Sequence, residues 1–284
     1  MYDHIREDLR GFVSADIATR ISIIQKDVWI DHRASDEIFR IMNNMADIPD
    51  RTNAPALLIT GEGGTGKTTI ISQMRRRVKN SNSLLMIDMA EDLNLGVKKN
   101  LKIELANALG LPANWRSGAQ NGDLPSEIKE VIKLRKLWGV AIDEMHDALL
   151  RPKQEQRANL SILKRLLGPE YGLVLFCFGT GKARQALRSS FEFERRFYEV
   201  KLDDWTEDEK FRSFLLEYEE SLPLKEPSNL YSKKMLDTIL RLTGGRMDKT
   251  IDLIKAAACY AIKNGEEAIS AEWLNRASKS PWSY

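Results

Sequence analysis

Residues 61–68 read Gly-Glu-Gly-Gly-Thr-Gly-Lys-Thr, and no other stretch of the 284-residue chain restricts its fold so tightly. A glycine, four residues and then Gly-Lys-Thr follow the apolar run 56–60 (ALLIT) and precede a helix-forming segment at 65–79. In a strand–loop–helix of this kind the glycines let the backbone aim several N–H groups at one point. The helix N-terminus adds a partial positive charge, and a phosphate suits that point. The spacing is that of a P-loop. Lys67 is expected to reach the β and γ phosphates of ATP, and the Thr68 hydroxyl to ligate Mg2+. Gly61, Glu62, Gly63, Gly64, Thr65, Gly66 and Thr69 are expected to complete the nucleotide cradle. An ordinary glycine-rich turn is the competing reading, and the strand before and helix after weigh against it.

The rest of the chain suits that start. Short apolar segments at 84–89, 140–142 and 173–178 alternate with helical patterns at 101–109, 126–137 and 159–167. Such alternation predicts an α/β fold: a P-loop parallel sheet flanked by helices. Two helices are expected ahead of it, one over 16–28 and one beginning after Ser35 as N-cap. Beyond about residue 203 the strands stop. Thr206 and Glu209 form a capping-box pattern opening a helix over 206–220, and further helices are expected at 232–242, 246–263 and 271–278. The predicted organisation is a helical lead-in (1–50), an α/β nucleotide-binding core (51–203) and a C-terminal all-helical lid (204–284).

Residues 137–144, LWGVAIDE, form an apolar strand ending in two carboxylates. After a P-loop this is the Walker B arrangement. Asp143 is expected to hold Mg2+ through water, and Glu144 to act as the base that polarises the attacking water. Thr180 follows the apolar strand 173–178, at the strand end where ligands of parallel sheets sit, and its hydroxyl is a candidate sensor of the γ-phosphate. The competing reading is a plain turn threonine. Arg195 and Arg196 form a basic pair; Arg196 is preferred as an arginine finger reaching a neighbouring subunit's nucleotide, against a solvated pair. Arg246 opens a lid helix after Gly244-Gly245 and is a weaker candidate for contact with the γ-phosphate. Lys98, Lys99, Lys102 and Arg116 are candidates for DNA phosphates, against a solvated face; Arg75, Arg76, Arg77 and Lys79 suit a helix C-terminus.

Composition narrows the classes. The formal charge is only +2, so nucleic-acid binding has to rest on local patches. Cys177 and Cys259 lack disulfide-framework or zinc spacing, and the three histidines are scattered. No run approaches a membrane span and the polar start is unlike a signal peptide, so a cytoplasmic location without a membrane partner is expected.

The order of P-loop, Walker B, sensor threonine, Arg-Phe and helical lid resembles an AAA+ ATPase. More narrowly the chain resembles the TniB/TnsC group, regulator ATPases of DDE transposons. The matching pieces are 20–30 (RISIIQKDVWI), 143–150 (DEMHDALL), 179–183 (GTGKA), Arg196-Phe197, 202–205 (LDDW), 222–224 (LPL) and 228–230 (SNL). The resemblance implies a bacterial, mobile-element protein that binds ATP and assembles as a ring or helical filament on double-stranded DNA. It implies hydrolysis as a switch, and a link between a TniQ-like target selector and a TniA/TnsB-like transposase. One departure stands out: the lid pattern Gly-x-x-Arg would require arginine where Asp248 is. Two other readings stay open, a cellular AAA+ loader or initiator on DNA and a P-loop kinase acting on a small molecule.

Overall fold

The computed structural model describes residues 2–48, 52–91, 98–112, 124, 126–188, 193 and 195–284. Helices α1 (Ile17–Gln25) and α2 (Arg33–Ala46) come first. Strands and helices then alternate: β1 (Ala56–Gly61), α3 (Lys67–Arg77), β2 (Leu84–Asp88), α4 (Leu101–Ala108), α5 (Ser126–Leu134), β3 (Gly139–Asp143), α6 (Met145–Leu149), α7 (Lys153–Leu167), β4 (Val174–Gly179), α8 (Gly181–Arg188) and β5 (Phe197–Leu202). Four helices follow, α9 (Glu209–Glu220), α10 (Lys233–Thr243), α11 (Met247–Asn264) and α12 (Ala271–Lys279). The chain divides into a sheet unit, Glu37–Gly63 with Lys67–Leu202, and a helical unit, Met1–Asp36 and Asp203–Tyr284, which the loop tip Gly64–Gly66 joins.

In the sheet unit five parallel strands run in the order β2-β3-β4-β1-β5. Every residue of β1 and β4 is buried, because helices cover both faces of a central parallel strand. That explains the unbroken apolar spelling of both. The four strands expected from sequence are present. The fifth, β5 (FYEVKL), was not expected: it lies at the sheet edge, is only half-buried, and alternates apolar with charged residues. Glu199 of β5 accepts from the buried Thr60 hydroxyl at 3.1 Å and pairs with Arg184 of α8 at 2.9 Å.

The helical unit has its own core, built on α1, α9, α10, α11 and α12. Helix α11 is buried from Leu253 to Ile262 on nearly all sides, as expected of a helix apolar right round. Two expected caps are corrected. Asp208, not Thr206, caps α9, accepting from the Phe211 N–H at 2.8 Å, so the helix opens at Glu209. Ser35 lies inside α2, where its hydroxyl donates to the His32 carbonyl at 2.7 Å.

The family-like motifs of this unit hold it together. Arg20, 2% exposed, donates to the Pro223 carbonyl and forms a two-pronged ion pair with Glu267. The buried Glu219 carboxylate accepts the backbone N–H groups of Ser228, Asn229 and Leu230 at 2.6–2.9 Å. Trp205 stacks on Phe211 and Phe214, and its backbone N–H donates to the Gly245 carbonyl at 2.7 Å. A Cβ on Gly245, whose φ is +79°, would fall 2.1 Å from the Trp205 carbonyl oxygen, so the second glycine of the pair is sterically required.

Candidate nucleotide site

Strand register assembles the site. Thr60 of β1 lies level with Gly179 of β4, and Ile142 of β3 with Cys177 of β4. Hence the start of the phosphate loop, Asp143-Glu144 and Thr180 all emerge from the C-terminal ends of three adjacent strands. In open parallel sheets ligands bind at that edge.

The loop leaves β1 at Gly61 and enters α3 at Lys67. Gly64 and Gly66 take φ values of +82° and +92°, which side-chain-bearing residues rarely adopt. Lys67 is buried, and its ammonium donates to the carbonyls of Gly61 at 2.7 Å and Glu62 at 2.9 Å. The loop thus folds around the lysine and holds its charge inside the curve. Thr68 and Thr69 are exposed in the first turn of α3, and Thr65 is buried. In the helical unit the Asp248 N–H donates to the Gly64 carbonyl at 3.1 Å.

Asp143 and Glu144 are half-buried at the end of β3. Burial pushes both carboxyls above their ordinary range, opposed for Asp143 by the Glu144 N–H it accepts at 2.8 Å and by Lys67. Glu144 adopts φ +48°, ψ +44°, a left-handed conformation costing of order 1–3 kcal/mol in a residue with a side chain. Such strain is typical of sites where a side chain must be aimed. The Thr180 hydroxyl is buried and has no hydrogen-bond partner among the described residues; neither does Glu144 Oε2. Buried polar atoms without partners mark places where a ligand or water belongs.

The remaining candidates sit as follows. Arg196 is half-buried just before the edge strand β5, with its carbonyl accepting from Ala56 N–H at 3.2 Å; Arg195 is exposed. Arg246 makes a two-pronged pair with Asp248, at 3.1 and 2.7 Å, which also holds the Asp248 carboxyl below its usual range. The residue that replaces the expected lid arginine therefore engages the neighbouring arginine. Lys98 is exposed, Lys102 is half-buried, and Lys99 donates to the Asp88 carbonyl at 2.8 Å. Arg116 lies outside the described residues.

Sequence reasoning assigned no role to His146 or Arg151. His146 Nδ1 lies 3.0 Å from Glu144 Oε2. Arg151, its side chain 4% exposed, pairs with Glu91 and donates to the Lys99 carbonyl at 2.8 Å. The Glu91–Arg151 pair leaves no local signal, because the two residues are 60 apart in the chain.

The site can be compared with known proteins. The family model described as Bacterial TniB protein matches residues 20–207. Among solved structures the chain is similar to the Aeropyrum pernix Orc1 protein in complex with DNA, at 17% identity and TM-score 0.52, covering 92% of this chain and 69% of that one. It is similar to Cdc6p from Pyrobaculum aerophilum, at 17% identity and TM-score 0.59, covering 91% and 70%. A Walker-type ATPase of Pyrococcus abyssi matches at 15% identity and TM-score 0.56, covering 89% and 72%. No curated protein matches in sequence. At these identities the structural likeness is one of fold alone. No described helix is long and apolar enough to cross a membrane.

Proposed function

The chain belongs to the TniB family, and from that membership we propose that it is an ATP-dependent regulator of DNA transposition. It assembles as a ring or filament on double-stranded DNA and connects a TniQ-like target selector to a DDE transposase of the TniA/TnsB type. ATP hydrolysis ends the assembled state. The observation that carries the ATPase reading is the register of β3, β4 and β1, which brings the phosphate loop, Asp143-Glu144 and Thr180 to one edge.

The residues fit ATP and Mg2+. Lys67, already held inside the loop, exchanges its two carbonyl partners for phosphate oxygens, and the N-terminus of α3 faces the same charge. Thr68 and Asp143 would hold Mg2+, which when bound neutralises charge on the phosphates. Glu144 orients a water and takes its proton, and the buried Thr180 hydroxyl donates to the γ-phosphate or that water. Arg196, beside the sheet edge, acts in a neighbouring copy's site, where an arginine offsets transition-state charge. Lys98, Lys99, Lys102 and Arg116 supply DNA-phosphate contacts.

A second reading, a cellular loader or initiator on DNA, draws on the likeness to the Orc1 and Cdc6p chains. The two readings share the nucleotide chemistry and differ in partner. Phosphate release from Mg-ATP, with and without duplex DNA, tests the shared part: turnover that rises with duplex is expected. Capture of this protein on DNA by a DDE transposase of the TniA/TnsB type then supports the transposition reading. A transposase indifferent to the ATP-bound, DNA-bound protein would favour the loader.

A further inference from the structure

Strand β5 hydrogen-bonds to one neighbour, β1, so side-chain ties decide how firmly its start is held. Glu199 supplies those ties. It lies level with Leu58 of β1, and its Oε1 accepts from the Thr60 hydroxyl at 3.1 Å. Its Oε2 pairs with Arg184 at 2.9 Å and lies 3.8 Å from Arg188, one turn further along α8. The Glu199 side chain is 22% exposed, so solvent screens these pairs only in part. Each element that meets the carboxylate leads to the nucleotide chemistry. Thr60 precedes Gly61, whose carbonyl holds the Lys67 ammonium. Helix α8 begins directly after Thr180, whose carbonyl accepts from the Ala183 N–H at 2.9 Å. Arg196 directly precedes β5, about 10 Å of extended chain from Glu199.

We propose that Glu199 is a positioning residue that couples a copy's own nucleotide site to the arginine it offers its neighbour. A γ-phosphate that engages Lys67 and Thr180 draws on the end of β1 and the start of α8. Both elements hold the same carboxylate, and through it the strand that begins beside Arg196. A copy holding ATP therefore presents Arg196 in a fixed place, and an empty copy does so less firmly. The proposal rests on the reading of Arg196 as an arginine finger and adds to it what sets the finger's position.

Phosphate release by the full chain, assembled on duplex DNA over a range of Mg-ATP concentrations, tests this. Glu199→Gln keeps an oxygen for the Thr60 hydroxyl and removes the charge that holds Arg184. It is expected to lower kcat about tenfold while KM for ATP stays within about twofold. In Arg196→Ala no finger remains to be positioned, so adding Glu199→Gln is expected to cost less than about twofold more. Arg184→Ala is expected to reproduce the loss, and Arg184→Lys, which keeps a cation for the carboxylate, to retain most of the wild-type rate. The two Arg184 variants serve even if Glu199→Gln does not fold. Wild-type turnover in both Glu199→Gln and Arg184→Ala would overturn the coupling and leave the finger standing. So would a loss from Glu199→Gln that recurs in full on top of Arg196→Ala. An Arg196→Ala assembly as fast as wild type would overturn the finger reading itself, and the coupling with it.

Discussion

Lys67 and Glu144 show what each side chain is asked to do before any nucleotide arrives. The Lys67 ammonium is satisfied by two loop carbonyls, so its charge is already aimed into the curve. Lys67→Ala is expected to weaken ATP binding by roughly 1.5–3 kcal/mol, the scale of a charged hydrogen bond, as read by calorimetry with Mg-ATP. Glu144→Gln keeps the shape and removes the proposed base. It is expected to retain binding while turnover falls roughly 100-fold or more, and binding lost together with turnover would contradict the assigned role. The placement of these residues was legible in sequence because the pattern is local: Gly61 to Thr68 are contiguous, and Asp143-Glu144 end a strand. The approach of His146 to Glu144 was not, since it depends on the left-handed turn at Glu144, which periodicity does not reveal.

Elements depend on pairings that join distant segments. Central strands were readable because burial on both faces makes them uniformly apolar, whereas β5 escaped because an edge strand keeps its charged residues. In the helical unit the Arg20–Glu267 pair fixes α1 against the turn carrying Pro223. Arg20→Ala is expected to cost roughly 1.5–3 kcal/mol in denaturant unfolding, since it leaves Glu267 with Lys225 alone and takes the donor from the Pro223 carbonyl. The hydrogen bonds from Arg20 lower the Glu267 pKa to about 2 from an ordinary 4.5. A carboxylate depressed on folding contributes fully above its unfolded value and loses that contribution as pH falls from about 4.5 toward 2. Glu267→Gln should therefore lower stability at neutral pH and flatten its decline over that window; an unchanged acid limb would show that the pair does not set it. Gly245→Ala is expected to destabilise the unit by more than about 1 kcal/mol, because both the positive φ and the Trp205 carbonyl oppose a methyl group.

At the scale of the whole molecule, the TniB match over residues 20–207 spans parts of both units, from Arg20 through the sheet to Glu207. Motifs that look unrelated in sequence turn out to be structural partners within one unit: Arg20 with Pro223, Trp205 with Gly245, and Glu219 with Ser228. In the proposed assembly Arg196 serves the site of a neighbouring copy. Arg196→Ala is expected to bind ATP normally as a monomer and to hydrolyse it slowly only in the assembled state, by a factor of roughly 1000 or more. The central claim is that ATP and DNA together drive assembly. Sedimentation of the protein with a non-hydrolysable ATP analogue, with and without duplex DNA, tests it most directly. Large species that form only when both ligands are present are the predicted result; a monomer under every condition would contradict the account.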